Sequence, residues 1–444
     1  MAAKSPAPDA DSQWETDPNA FVEYQRSIYT SLRKPKFSTK PSQWEAEARR
    51  IMPERNFMYI HGSAGSESTY AANISAFERY RLRPWMLVQS TRRDLSVELF
   101  GHRYPSPLLV APIGVQEIAH HEAEEATARA CAAVGVPMIL STAATRSIEQ
   151  VAQVNGDGDR WFQLYWPVPS AEEVTASLLA RARASGYTVL VVTLDTFLLG
   201  WRPRDLDESY LPFAWGQGCQ IAFSDPAFNA MYARLQAADT RSVGQKAAEI
   251  WEILKRPGSV AGAVGILANA GVMKRAQLYM KITASGAYRE WSHLSSLRKY
   301  WDGPVVLKGI QTVEDAHRAI DYGVDGIVVS NHGGRQLDGA VASLDALAEI
   351  GADERVKSSG LTVLFDGGVR TGSDVLKAIA LGAKAVLVGR PYVYGLAMGG
   401  EAGVKHVLSC LLADTDNSMA NLGKRGLGEI GRGDLRVFER LAKL

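Results

Sequence analysis

From residue 108 onward the chain alternates two kinds of segment. Short apolar runs come first: "LLVAPIG" (108–114), "PMILST" (137–142), "WFQLYW" (161–166) and "TVLVVTLD" (188–195). After a gap the series continues with "PVVLKG" (304–309), "GIVVSNH" (326–332), "LTVLFDGG" (361–368) and "AVLVGR" (385–390). Each is β-branched or aromatic and too uniformly apolar for a sheet with one wet face. They predict parallel strands covered on the outside by helices.

Amphipathic stretches lie between them. "HEAEEATARACAAVG" has acids in its first turn and a glycine stop. "AEEVTASLLARARASG", "TVEDAHRAIDYG" and "SDVLKAIALG" follow the same grammar, the last with a serine placed to cap. Eight strand–helix units predict a closed (β/α)₈ TIM barrel. An open doubly wound sheet is the structural rival, but it seldom uses eight consecutive units.

Four regions follow from this. Residues 1–40 read as an N-terminal tail, partly disordered, and 41–107 as a helical segment packed on the barrel, with patterns such as "QWEAEARRIM". Residues 108–425 form the barrel and 426–444 a C-terminal tail. An excursion at about 203–292 interrupts the barrel after its fourth strand. At the catalytic end of a barrel such a segment serves as a lid or a wall.

Composition narrows the function classes. The 444 residues carry 49 Lys+Arg against 48 Asp+Glu, a net charge of +1, which gives no reason to expect nucleic acid or an acidic membrane as partner. The cysteines Cys131, Cys219 and Cys410 form no CxxC pair, which argues against a zinc cluster or a disulfide framework. The longest uncharged apolar run, 258–273, is shorter than the ~20 residues a spanning helix needs. The first dozen residues lack the apolar core of a signal peptide. The terminal Ala442-Lys443-Leu444 is a near variant of the Ser-Lys-Leu peroxisomal address, expected to act as one in a eukaryote and otherwise a plain helix end in a cytoplasmic protein.

Barrel chemistry gathers at the carboxyl ends of strands. Here those ends read Pro112-Ile113-Gly114, Ser141, Gln163 with Tyr165, Thr193 with Asp195, Lys308, and Ser330 to His332. The last two are Asp366-Gly367-Gly368 and Gly389-Arg390. "DGGVRTG" and "GR" at consecutive tips combine glycines with two arginines, the composition of a phosphate corner. Taken singly, either would be a mere turn. His332 is a base candidate or a satisfied core histidine, and Asp195 is the carboxylate that could fix its tautomer. Arg335 and Arg202 are cations near the same mouth, suited to a carboxylate. The alternative for Arg202 is a surface pair with Asp205 or Asp207. Lys308 ends an apolar strand, where an ammonium must meet an anion or a polar cofactor edge. His120-His121-Glu122 reads as a solvated cap before an acidic helix, and no metal site is expected.

With these residues in view, the chain resembles the FMN-dependent L-2-hydroxy acid oxidase family over about residues 44–425. "SNHGGRQLDG" (330–339) looks like that family's active-site signature, and "FQLY", "LDT", "LKGI", "DGGVRTG" and "VGRP" fall in the family's order. "RDLSVEL", "APIG", "LDTFLLGWRPRDL" and the long excursion are most similar to its lactate 2-monooxygenase branch. The resemblance implies His332 as base, aligned by Asp195, with Arg202 and Arg335 holding the carboxylate and Tyr59 and Tyr165 contacting the substrate. FMN would lie on Pro112, Ile113, Gly114, Ser141, Gln163, Thr193, Lys308 and Ser330. Its phosphate would fall to Asp366, Gly367, Gly368, Val369 and Arg370 with Gly389 and Arg390. Two departures stand out. Ala143 replaces the aromatic of plant-type glycolate oxidases, and "YIHGSAG" differs from the family's "Y-x-x-G-A".

The expected reaction is oxidation of a short L-2-hydroxy acid, with L-lactate foremost, by FMN and O₂, in a homo-oligomer, often a tetramer. If pyruvate stays bound, peroxide formed beside it gives acetate, CO₂ and water. If it leaves first, the protein is an oxidase releasing H₂O₂. Gly114, which the resemblance places beside flavin N5, and the long lid favour retention. The rival readings are a non-catalytic FMN-binding barrel and a membrane-linked dehydrogenase anchored by 258–273.

Overall fold

The computed structural model describes residues 21–255, 260–284, 286 and 289–438. Ala442–Leu444 and the first twenty residues lie outside them. Eight parallel strands close on themselves: β1 (Leu108–Val110), β2 (Met138–Ser141), β3 (Arg160–Tyr165), β4 (Leu190–Thr193), β5 (Val305–Ile310), β6 (Gly326–Val329), β7 (Thr362–Asp366) and β8 (Ala385–Val388). The pairing of Val386 with Leu108 joins β8 to β1, so the sheet is a barrel and has no edges. This excludes the open doubly wound sheet.

The two-residue side-chain period then dictates what faces the axis. Leu109, Ile139, Trp161, Val191, Val306, Val328, Leu364 and Leu387 make an apolar interior cluster. Two residues further along, the same inward positions are Ala111, Ser141, Gln163, Thr193, Lys308, Ser330, Asp366 and Gly389. Dry packing thus ends abruptly in a polar layer at the strand tips. A hairpin, Val97–Leu99 with His102–Tyr104, plugs the opposite end. There the Trp161 Nε1–H donates to the Tyr104 hydroxyl at 3.1 Å, and the Phe100 ring packs edge-on at 5.6 Å.

Helix boundaries follow local chemistry. Ala123–Val134 carries Glu124 and Glu125 in its first turn and stops at Gly135, whose φ of +68° suits a left-handed cap. The helix Gly372–Leu381 is capped by Thr371, two residues before the serine expected there: the Thr371 hydroxyl accepts the Asp374 N–H, leaving Ser373 inside the first turn.

Both flanking regions contribute regular elements among the described residues. Within 1–40, Glu23–Thr30 is helical and lies on the long helix Arg390–Leu422, where Tyr24 Oη meets His406 Nδ1 at 2.8 Å. Helices Pro41–Ile51, Glu54–His61 and Ser68–Ser75 follow. Within 426–444, Leu435–Val437 pairs antiparallel with Tyr80–Leu82. The excursion is mostly helical, its longest element being Val260–Thr283. The Tyr279 hydroxyl of that helix donates to the Thr142 carbonyl at 2.7 Å, drawing it over the mouth. Among the described residues no helix is long and apolar enough to cross a membrane, the 258–273 run included as far as it is described.

Trp161 is fully enclosed between plug and polar layer. Trp161→Ala is expected to cost about 3–5 kcal/mol, read as a lowered urea midpoint of the apoprotein with an unchanged slope.

Candidate active site

The chain leaves β6 through three consecutive left-handed residues: His332 (φ +59°), Gly333 (+64°) and Gly334 (+79°). Glycine is obligatory at 334, where a Cβ would lie 2.7 Å from the Tyr70 nitrogen. A histidine in this conformation is strained and is held there by its surroundings. The Ser330 hydroxyl accepts the His332 N–H at 3.0 Å. The side-chain amides of Asn331 and Asn73 bond each other reciprocally, both at 2.8 Å. The tight reversal brings the imidazole of His332 and the guanidinium of Arg335 to one cavity.

That cavity, of about 380 Å³, is lined by Pro112 to Gly114, Tyr165, Arg202, Lys308, His332 and Arg335, among others. His332 Nδ1 lies 2.8 Å from Asp195 Oδ1. The carboxylate has no proton to give, so Nδ1 carries the hydrogen and Nε2 keeps its lone pair. Burial holds the imidazole below its ordinary range, against the pull of Asp195, so it rests neutral and able to act as a base. Burial alone would push the Asp195 carboxyl up, but Lys308 and His332 outweigh it and keep the group ionised.

Lys308 sits almost fully buried at the barrel axis. Its ammonium donates to Ser330 Oγ at 3.0 Å and lies 3.7 Å from Asp195 and 3.6 Å from Asp366. Burial opposes the charge, and the two carboxylates more than compensate.

Arg202 is buried and makes no ion pair with Asp205 or Asp207, so the surface-pair alternative fails. Its Nε donates to the Arg335 carbonyl at 3.0 Å and its Nη2 to Gln336 Oε1 at 2.8 Å. Burial, reinforced by Arg335, pushes it down to about 10. The Arg335 guanidinium lies 5.3 Å over the Tyr59 ring and anchors Nη1 on the carbonyls of Ile60 and Gly62. Tyr59 comes from helix Glu54–His61, and burial raises its phenol. Tyr165, at the tip of β3, is pushed up to about 12, chiefly by burial. Both phenols therefore stay protonated and can donate to an anion.

Ser141, Gln163 and Thr193 stand in the polar layer rather than on the cavity wall. Ser141 Oγ donates to Gln163 Oε1 at 3.0 Å, and Gln163 Nε2 donates to Thr193 Oγ1 at 2.9 Å. Asp366 Oδ1 is buried and has no hydrogen-bond partner among the described residues. An acceptor so placed asks for a donor such as a ribityl hydroxyl. The glycines of 367–368 and the side-chain-uncapped start of helix Arg390–Leu422 border the same wall, as a phosphate requires. These residues fit FMN.

Arg390 is the exception within that corner. Its guanidinium bonds the carbonyls of Ile60, His61, Gly62 and Gly333 and the Ser63 hydroxyl, and it lies 4.9 Å over the Tyr70 ring. The side chain is a bracket for the N-terminal segment. Arg370 and Arg390 both line the cavity beside the helix N-terminus. His120, His121 and Glu122 bring their ligand atoms within 4.8 Å, but Arg129 Nη2 occupies Glu122 Oε1 at 2.6 Å.

Two residues were missed in the sequence. Gln336 Nε2 donates to the carbonyls of Asp195 and Leu198 at 2.7 and 2.8 Å while its Oε1 holds Arg202. Asp338 accepts from the N–H and hydroxyl groups of Ser66 and Ser68 and ties the turn to the N-terminal segment. Both stand inside "GGRQLDG", and only their partners, far off in sequence, reveal what they do.

A model of the FMN-dependent dehydrogenase family matches residues 48–437, and the chain belongs to that family. It is 45% identical over 425 residues to an FMN-dependent alpha-hydroxy acid dehydrogenase of Penicillium citrinum, covering 94% of this chain and 96% of that protein. It is 38% identical to an L-lactate oxidase of Lysinibacillus sphaericus, covering 85% and 87%. The crystal structure of a mandelate oxidase superposes with a TM-score of 0.72 at 34% identity, covering 90% of this chain and 98% of that one. FMN is thus the cofactor of this family's barrel, and the chain is an FMN-dependent oxidoreductase acting on 2-hydroxy acids.

A base held below its ordinary value stays neutral as pH falls through 6.5, so the acid limb of kcat/KM is expected below that pH. Asp195→Asn removes both the tautomer lock and the charge that stabilises the imidazolium. It is expected to lower the rate of flavin reduction by about 10²–10⁴-fold and to move the acid limb lower still, read by stopped-flow across pH.

Proposed function

We propose that the protein oxidises an L-2-hydroxy acid to the 2-oxo acid and passes the electrons to O₂. The observation that carries this is the pair of guanidiniums, Arg202 and Arg335, facing one cavity with a neutral imidazole whose Nδ1 is locked by Asp195. Arg202 is buried and Arg335 half-buried, and the one carboxylate near both, Asp205, forms an ion pair with neither, so the two cations keep their capacity for an anion in the cavity. FMN, when bound, accepts the two electrons and is reoxidised by oxygen. His332 Nε2 takes the proton the acid gives up, and Asp195 stabilises the imidazolium that results. Arg202 and Arg335 fix the acid's carboxylate, so that position and orientation are set before the chemistry. Lys308, kept charged by two carboxylates, offsets negative charge developing on the cofactor.

The narrower reading, L-lactate 2-monooxygenase, joins two claims: that the acid is small and that the oxo acid stays bound until peroxide attacks it. The excursion supports the second, since Phe213, Tyr279 and Met280 close over the cavity. Gly114 supports it less directly than its size implies. A Cβ there would overlap the carbonyl of Ala143, so the missing methyl leaves no vacant room; the two loops touch instead. The alternative, an oxidase releasing H₂O₂, draws support from the likeness to L-lactate oxidase.

Anaerobic mixing with L-2-hydroxy acids followed by oxygen tests the scheme. Loss of the oxidised flavin spectrum, then the shortened acid and CO₂ in equal amounts, is the expected result. Stoichiometric 2-oxo acid and peroxide would replace the monooxygenase with the oxidase. A flavin that no 2-hydroxy acid reduces would leave a cofactor-binding barrel without turnover. The terminal Ala442-Lys443-Leu444 supports peroxisomal import in a eukaryotic host. Unchanged import of a fluorescent fusion lacking the tripeptide would count against that.

A further inference from the structure

We infer that the acid turned over here carries an apolar side chain larger than a methyl group, either an aryl ring or a chain of several carbons. This rests on the function proposed above and names its substrate class. With the carboxylate on Arg202 and Arg335 and C2 against His332, the remaining wall faces the acid's side chain. That wall is Ala143, Leu199, Leu211, Phe213 and Met280. They come from the loops after β2 and β4, from the turn Pro212–Trp215 and from helix Val260–Thr283, so four separate segments converge on apolar chemistry. None carries an amide or a charge that could meet a polar substituent, which makes a second carboxylate costly. A methyl group would leave most of these side chains without partner atoms, and unfilled apolar lining forfeits its dispersion contacts.

Two independent features extend the argument. Phe197, Leu198, Leu199 and Trp201 run consecutively along the mouth, interrupted only by Gly200, and are 39%, 59%, 40% and 73% exposed. A rim this apolar favours entry of an apolar molecule. A second cavity of about 440 Å³ shares Tyr165, Thr196 and Thr283 with the first. Its wall sets Trp166, Leu194, Phe197 and Ile310 beside the charged Arg289, Glu290 and Asp315, and the Trp166 Nε1–H is buried without an acceptor among the described residues. Tyr165, Thr196 and Thr283 are thus the boundary across which a longer side chain would extend, toward a donor for a distal oxygen.

The test is anaerobic flavin reduction of the FMN-loaded protein by a graded series: L-lactate, L-2-hydroxybutanoate, L-2-hydroxyoctanoate, L-mandelate, L-3-phenyllactate and L-malate. The expected result is a second-order reduction constant at least about tenfold higher for the best long-chain or aryl acid than for lactate, with malate poorest. Lactate or malate as the best reductant would overturn the inference and leave the proposed function standing. No reduction by any acid would overturn the function itself. Ala143→Phe and Leu211→Trp, each checked for bound flavin, are expected to cut the ratio of large acid to lactate by about tenfold or more. An unchanged ratio in both flavin-bound variants would remove these residues from the side-chain wall.

Discussion

An ammonium at the centre of a barrel has no solvent to lean on. Lys308 is nearly inaccessible, and its charge is sustained by Asp195, Asp366 and the Ser330 hydroxyl. Each of these partners also does something else. Asp195 fixes the imidazole, Ser330 receives the His332 amide, and Asp366 turns its second oxygen toward the cofactor's side of the cavity. Taking away one member of such a set leaves an uncompensated buried charge, a loss of the order of 3–5 kcal/mol. Base, anchor and cofactor seat are therefore parts of a single electrostatic unit rather than neighbours by accident.

Around that unit the polar bonds run between segments remote in sequence. Asp338 reaches Ser66 and Ser68, Asn331 pairs with Asn73, and Arg390 grips Ile60 to Ser63. Gln336 does the same for the loop after β4, holding the Asp195 backbone with one end of its amide and Arg202 with the other. The barrel supplies the stage. The N-terminal helices and the β4 loop give the catalytic turn its shape, since a left-handed histidine next to two left-handed glycines would relax without them.

Much of this was legible because buried strands speak plainly. Runs such as "TVLVVTLD" and "GIVVSNH" are apolar on both faces, and their polar ends name the tip residues directly, so the barrel, His332, Asp195 and Lys308 could be read one after another. What stayed hidden depends on long-range geometry. Ser373 reads as the cap because serine caps well, but Thr371 lies at the turn. Arg390 reads as a phosphate ligand because it follows a glycine, and only the structure shows that its side chain also serves carbonyls more than three hundred residues earlier. The excursion has no period-two pattern and no repeat, so its helices and the placing of Tyr279 over Thr142 come from tertiary packing alone. Glu23–Thr30 and Leu435–Val437 do not stand out in the sequence because short elements carry too few apolar positions.

The small sheet made by Tyr80–Leu82 and Leu435–Val437 joins the two extremities of the catalytic unit. Its first strand is synthesised more than three hundred and fifty residues before its second. That strand must wait, unpaired, until Val437 has cleared the ribosome, and barrel closure through Val386 and Leu108 is nearly as late. A nascent chain that stops short of Val386 has an open barrel and a cofactor seat without Gly389 and the helix that starts at Arg390.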